Sequence, residues 1–196
     1  MQTSSHLVNL KKLVQDLYSR SINSSDPWQR WCYDNHVLVV AKHAEELAIR
    51  YGANVAECVA GALLHDASDA TMDRDDPEHE GESVILARKL LDQAGFESGQ
   101  INHILDNVIA PHSCKDRMPE ILEAKVVATA DAIAHLTTDF YLYCAFYRIG
   151  GSTYEEFKTW CAAKVERDFH RKIFFAEVSK DLENTYQKLK SFFYRS

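Results

Sequence analysis

The sequence predicts an all-α fold. Three observations carry that prediction. Helix breakers are sparse, with seven glycines and four prolines in 196 residues, so the elements between them are long. Apolar residues recur at spacings of three and four, the period of a helix that buries one face. The single run with strand character, Val37-Leu38-Val39-Val40, lies inside a longer helical pattern and is read as part of it.

Taken in order, Leu7, Leu10, Val14 and Leu17 make the N-terminal segment an amphipathic helix. Ser24 to Pro27 reads as a break. A helix follows, from Trp28 or from Asp34 to Tyr51, and Gly52 supplies its stop. Asn54 and Glu57 have the spacing of a capping box for the next helix, which carries Val55, Val59, Ala62 and Leu63 and ends near His65-Asp66. Residues 67–77 read as the longest polar loop. Asp76-Pro77 is a cap followed by a first-turn proline, opening a helix with Val84, Leu86, Ala87, Leu90 and Leu91 that stops at Gly95. Ser98 is expected to cap a helix reaching Ala110, before Pro111. Pro119 is expected to open a helix through Thr138, and a further helix runs to Gly150-Gly151. Thr153 and Glu156 form a second capping box, and residues 153–195 read as one or two amphipathic helices. A single domain is expected over residues 1–196, with its core at about 28–140 and the helices of about 150–195 packed on it.

Composition excludes several classes. A hydrophobic fraction of 46% with 26% charged residues is that of a soluble globular protein and not of a disordered one. No uncharged apolar run approaches the roughly 18 residues of a membrane span. The N-terminus does not combine a basic start, an apolar stretch and a small-residue cleavage site. No membrane partner is therefore expected, and the expected location is the cytoplasm. The net charge is −7 and no basic block occurs, which argues against a nucleic-acid partner. Cys32, Cys58, Cys114, Cys144 and Cys161 are odd in number and contain no C-x-x-C pair, so they read as reduced, mostly buried thiols.

A few polar residues interrupt apolar runs, and these carry the chemistry. His65-Asp66 ends the run Ala60-Gly61-Ala62-Leu63-Leu64. An unpaired carboxylate there would cost several kcal/mol, so a metal or another cation is expected to neutralise Asp66. Asp131 shares a helical stripe with Ala124, Ala128 and His135, beside Val126 and Val127, and needs a partner for the same reason. His36 opens the apolar run from Val37 to Ala41. His43 lies two turns further, about 10 Å along a helix, too far to share an ion with His36.

Together these pieces resemble the HD superfamily of metal-dependent phosphohydrolases. The resemblance rests on Asp34-Asn35-His36-Val37-Leu38-Val39-Val40, on Gly61-Ala62-Leu63-Leu64-His65-Asp66, and on Glu123 through Asp131, in that order, over roughly Trp31 to Leu136. It implies an HD-type helical bundle, here with additional N- and C-terminal helices, that binds a divalent cation through His36, His65, Asp66 and Asp131. It also implies a second set: His79 in Pro77-Glu78-His79-Glu80-Gly81-Glu82-Ser83, and His112 in Ile109-Ala110-Pro111-His112-Ser113, resemble positions that hold a second metal or a substrate phosphate. Asp69 stands at an offset where some HD nucleotidases and guanosine-tetraphosphate hydrolases place an acidic residue that acts on the attacking water. There it is commonly Glu, and Asp69 is shorter.

The implied cofactor is a divalent metal (Mn, Fe, Co, Ni, Zn or Mg), one or two per chain, and imidazole mixed with carboxylate suits Mn, Fe, Co, Ni or Zn better than Ca. The implied activity is hydrolysis of a small phosphate ester or nucleotide by metal-activated water, with Asp66 and Asp69 as the catalytic carboxylates. Lys115 and Arg117, just past His112, are candidate phosphate contacts. So are Lys164, Arg167, Arg171 and Lys172, which otherwise read as a solvated surface. Two alternatives remain open at this point. The six residues His36, His65, Asp66, His79, His112 and Asp131 also fit the set used by HD-type di-iron oxygenases. A metal-containing module that binds a nucleotide or partner without turnover is the other. The aromatic-rich C-terminal region is a candidate homodimer seam.

Overall fold

Helices form where the three-and-four period predicts them, and among the described residues there is no strand. A computed structural model describes residues 5–20, 27–147 and 151–194. Helix α1 (Ser5–Arg20) buries Leu7, Leu10, Val14 and Tyr18. The break expected before Pro27 lies outside the described residues. Helix α2 (Pro27–Cys32) passes into α3 (Leu38–Tyr51) through a π-helical turn, Tyr33–Val37. The run that reads as one helix in the sequence therefore contains one widened turn, at His36. Gly52 ends α3 with φ 74°, a left-handed conformation that glycine adopts without steric cost.

Helix α4 (Val55–Leu64) is capped by Asn54, whose side chain accepts from the N–H groups of Ala56 and Glu57. The reciprocal half of the expected box is made elsewhere: the Asn54 N–H donates to Glu123 Oε1 at 3.0 Å. Residues 67–77 differ from the expected loop. They begin with a 3₁₀ turn, Ala67–Ala70, and all four of its residues are buried. The reason is local pairing: Ser68 Oγ lies 2.5 Å from Ser83 Oγ, and Asp69 is held on both oxygens.

Helix α5 (His79–Ala94) starts two residues after Pro77, with Asp76 Oδ1 accepting from the Glu78 N–H at 2.8 Å. Before α6 (Ser98–His103) the cap is Glu97, one residue earlier than expected, and its N–H donates to Gln100 Oε1. A second π-helical turn, Ile104–Ile109, completes that run. Helices α7 (Leu122–Thr137) and α8 (Phe140–Tyr147) follow. The stop expected at Gly150 lies outside the described residues. The last stretch is two helices, α9 (Tyr154–Lys172) behind the Thr153–Glu156 box and α10 (Ala176–Phe193).

At the centre, α3, α4 and α7 pack on one another, α1 and α5 pack against each other, and α9 and α10 lie on α7. Gly61 permits a close approach inside this core. A Cβ there would sit 2.7 Å from Val108 Cγ1 and 3.3 Å from Val127 Cγ2, so its absence lets α4 lie against the second π turn and α7. Helix α7 is buried without interruption from Val126 to Leu136. The end of α9 is tied to it, since Thr129 Oγ1 donates to the Lys172 carbonyl at 3.0 Å. No helix among the described residues is long and apolar enough to cross a membrane.

Candidate metal centre

Three elements deliver three buried side chains to one point: the first π turn brings His36, the end of α4 brings His65, and the middle of α7 brings Asp131. His36 Nε2 lies 3.2 Å from His65 Nε2 and 3.4 Å from Asp131 Oδ1, and His65 Nε2 lies 3.8 Å from the same oxygen. His65 Nδ1 sits 2.8 Å from the Ala62 carbonyl. With the ring proton donated there, Nε2 presents a lone pair to the cluster. Burial, with His135 alongside, holds His36 well below the ordinary imidazole value. Asp131 Oδ1 is buried and accepts no hydrogen bond. Burial would push its carboxyl up, but His135, Lys172 and the other imidazoles outweigh that and keep it ionised.

A second group shares His65. Asp66 Oδ2 is 3.5 Å from His65 Nε2, and Asp66 Oδ1 is 3.8 Å from His112 Nε2. The His112 Nδ1 faces the Ile109 carbonyl at 2.7 Å, which again leaves Nε2 as an acceptor, and burial lowers this imidazole to about 4. Imidazole nitrogens and carboxylate oxygens thus converge at distances of 3.2–3.8 Å. An ionised, orphaned Asp131 oxygen facing the imidazoles of His36 and His65 is a donor set that a divalent cation fits, and mixed nitrogen and oxygen ligands suit a transition metal.

The other residues singled out in the sequence take different places. Asp69 is fully buried and occupied: Oδ1 meets His79 Nε2 at 2.7 Å, and Oδ2 accepts from Arg74 at 2.5 Å and from the Cys32 thiol at 3.4 Å. His79 therefore faces Asp69, whereas His112 joins Asp66 and His65. Lys115 lines the cavity above the cluster and pairs with Glu80 at 3.1 Å. Arg117 donates to the Asp106 carbonyl at 2.7 Å and does not line that cavity. His43 pairs with Glu46 on α3.

Sequence reading does not single out Arg74 or Asp168, and it offers Lys164 and Lys172 only as candidate phosphate contacts on a solvated face. Arg74 forks across two carboxylates, 2.6 Å from Asp66 Oδ2 and 2.5 Å from Asp69 Oδ2, and lies over the Trp28 ring. Helix α9 supplies Lys164, Asp168 and Lys172, all buried. Lys172 Nζ donates to Asp131 Oδ2 in a short hydrogen bond, leaving Oδ1 as the oxygen that faces the imidazoles. Burial would lower the Lys172 ammonium, but Asp131 and Asp168 hold it above the ordinary value. Asp168 stands 3.1 Å from His135 Nδ1 and 3.2 Å from Lys164 Nζ, and accepts from the Tyr141 hydroxyl at 3.1 Å. Their spacing of four residues was the available signal, placing 164, 168 and 172 on one face.

Asp66, His112, Asp131 and His135 open onto a cavity of about 410 Å³, with aromatic walls from Trp28, Phe140, Tyr147 and Trp160. The sequence matches the HD domain family over residues 33–136, which holds all five clustered side chains. In the crystal structure of a predicted HD superfamily hydrolase from an uncultured Thermotogales bacterium, the fold is the same: the TM-score is 0.61 at 18% identity, over 98% of this chain and 91% of that one. No curated protein matches the sequence.

Proposed function

This chain belongs to the HD domain family, and on that premise we propose that it is a metal-dependent phosphohydrolase acting on a small phosphate ester. The observation that carries the proposal is the buried, unpaired Asp131 Oδ1 among imidazoles, at the floor of a cavity whose wall carries lysine and arginine side chains beside its carboxylates. The hydrolase description of the Thermotogales neighbour agrees with this reading.

His36, His65, Asp66 and Asp131 would hold the ion, with His112 beside Asp66. A divalent cation there supplies Lewis acidity and lowers the pKa of water. The chain's own residues set everything else. Backbone carbonyls of Ala62 and Ile109 fix the ring orientation of His65 and His112. Lys172 aims Asp131, and Arg74 holds Asp66 against Asp69. In this arrangement Asp69 acts through Arg74 and His79 as a positioning residue, because neither of its oxygens is free for water. Lysine and arginine side chains on the cavity wall would meet the phosphate oxygens. His79, the sixth member of the oxygenase-type ligand set, is engaged by Asp69, which favours hydrolysis over the di-iron alternative.

The test is elemental analysis of protein purified without chelator, combined with hydrolysis of an aryl phosphate. His65→Ala and Asp66→Ala are expected to abolish both bound transition metal and turnover while keeping helical circular dichroism. Folded variants that keep a full complement of metal would sink the assignment.

A further inference from the structure

Five cationic side chains line the cavity: Arg74, Lys115, Lys164, Arg167 and Lys172. Four of them hold a carboxylate. Arg74 holds Asp66 and Asp69, Lys115 holds Glu80, Lys164 holds Asp168, and Lys172 holds Asp131. Arg167 pairs with no carboxylate among the described residues, and its Nε is buried without a hydrogen-bond partner. A desolvated guanidinium N–H without an acceptor, on a side chain that lines a cavity, is a donor awaiting one.

The charge around the cavity narrows what that acceptor is. Five carboxylates, Asp66, Asp75, Asp76, Glu80 and Asp131, line the same wall as the five cations, and Asp69 and Asp168 lie behind it against Arg74 and Lys164. Arg167 is thus the lining cation that no carboxylate among the described residues answers, and the oxygens of a phosphate group match the planar fork of arginine. Arg167 lies on α9, three residues after Lys164 and five before Lys172, within roughly 8 Å of either along the helix axis. All three lie beyond the family-matched residues 33–136.

We propose that Arg167 is the anion receptor of the cavity and binds a phosphate group of the substrate. The proposal deepens the phosphohydrolase reading of the same cavity and rests on it. It also makes α9 the element that selects substrate, while α3, α4 and α7 hold the metal.

The test uses inorganic phosphate as the probe, titrated by calorimetry into the full chain in metal-loaded and metal-free forms, with acetate as the singly charged control. Arg167→Gln is expected to weaken phosphate at least tenfold in both forms, with metal content unchanged. Arg167→Lys is expected to recover part of that loss, which separates charge from any collapse of the wall, and acetate is expected to bind far more weakly than phosphate. The proposal is overturned by equal phosphate affinity in wild type and both variants, by a loss that lysine does not relieve, or by acetate binding as well as phosphate. Loss of metal from the wild type itself would instead remove the phosphohydrolase reading, and the metal-free titration would still decide the role of Arg167.

Discussion

At Asp131 one carboxylate serves two demands: Oδ2 accepts from the Lys172 ammonium while Oδ1 faces His36, His65 and His135. Removing one partner of a buried ion pair leaves the other charge without compensation, typically a loss of about 3–5 kcal/mol. Lys172→Met is therefore expected to lower the unfolding free energy of the metal-free protein by about that amount in urea titration. The double variant Lys172→Met/Asp131→Asn is expected to be less destabilised than Lys172→Met alone, since it removes both charges. Equal losses would mean that the pair is not coupled. The same site shows what single residues reveal in sequence. His36, His65, Asp66 and Asp131 are legible because each interrupts an apolar run, where a polar group demands an explanation. Lys164, Asp168 and Lys172 are not, because charges four apart on a polar helix are the ordinary pattern of a solvated face. Their burial comes from docking on α7, which no local signal encodes. Arg74 is hidden for a related reason: nothing in Met72-Asp73-Arg74-Asp75 says that one guanidinium reaches two carboxylates behind it.

Among elements, the decisive contact is that of α4 with α7 and the second π turn, because α4 ends at His65 and Asp66. Gly61→Ala gains up to about 1 kcal/mol of helix propensity. It also forces a Cβ into Val108 Cγ1, a stiff β-branched side chain, at a cost of about 1–3 kcal/mol. The expected net result is a lower urea midpoint, together with weaker metal binding as the end of α4 is displaced. An unchanged midpoint would show that the core yields there without cost. Element boundaries were legible where backbone chemistry is unambiguous, as at Gly52, Gly95 and the Thr153–Glu156 box. They were misread where two residues competed for a cap, as Glu97 and Ser98 do, or where a polar segment is buried by its own pairing, as in Ala67–Ala70.

For the whole molecule, an acidic chain of net charge −7 gathers five lysine and arginine side chains and three imidazoles around one cavity. A ligand that binds only the folded state stabilises it by mass action, by about 2.7 kcal/mol at one hundred times the dissociation constant. For a chain of this size that corresponds to roughly 5–10 °C in the thermal midpoint. Adding Mn, Co, Ni or Fe to metal-free protein is expected to raise the midpoint on that scale, a chelator to reverse the rise, and Asp131→Asn to abolish it. The all-α class was legible at this scale from the scarcity of breakers, whereas the packing of α9 over the metal cluster was not, since it depends on which of several amphipathic faces meet.

The π turn at Tyr33–Val37 has a consequence best put in terms of insertions and deletions. Such a turn carries one residue more than the same length of α-helix requires, so it behaves as an insertion absorbed without breaking the helix. Deleting one residue there would restore regular α geometry and leave the segments on either side in phase, so the change is confined to the turn itself. Trp31, stacked on Tyr143 of α8 at 4.4 Å, and Trp28, packed against Phe140, would keep their partners, while the residues inside the turn, His36 among them, would be re-aimed. The extra residue thus tunes the direction of one imidazole without disturbing the aromatic wall, and a single-codon deletion is expected to weaken metal binding before it loosens that wall.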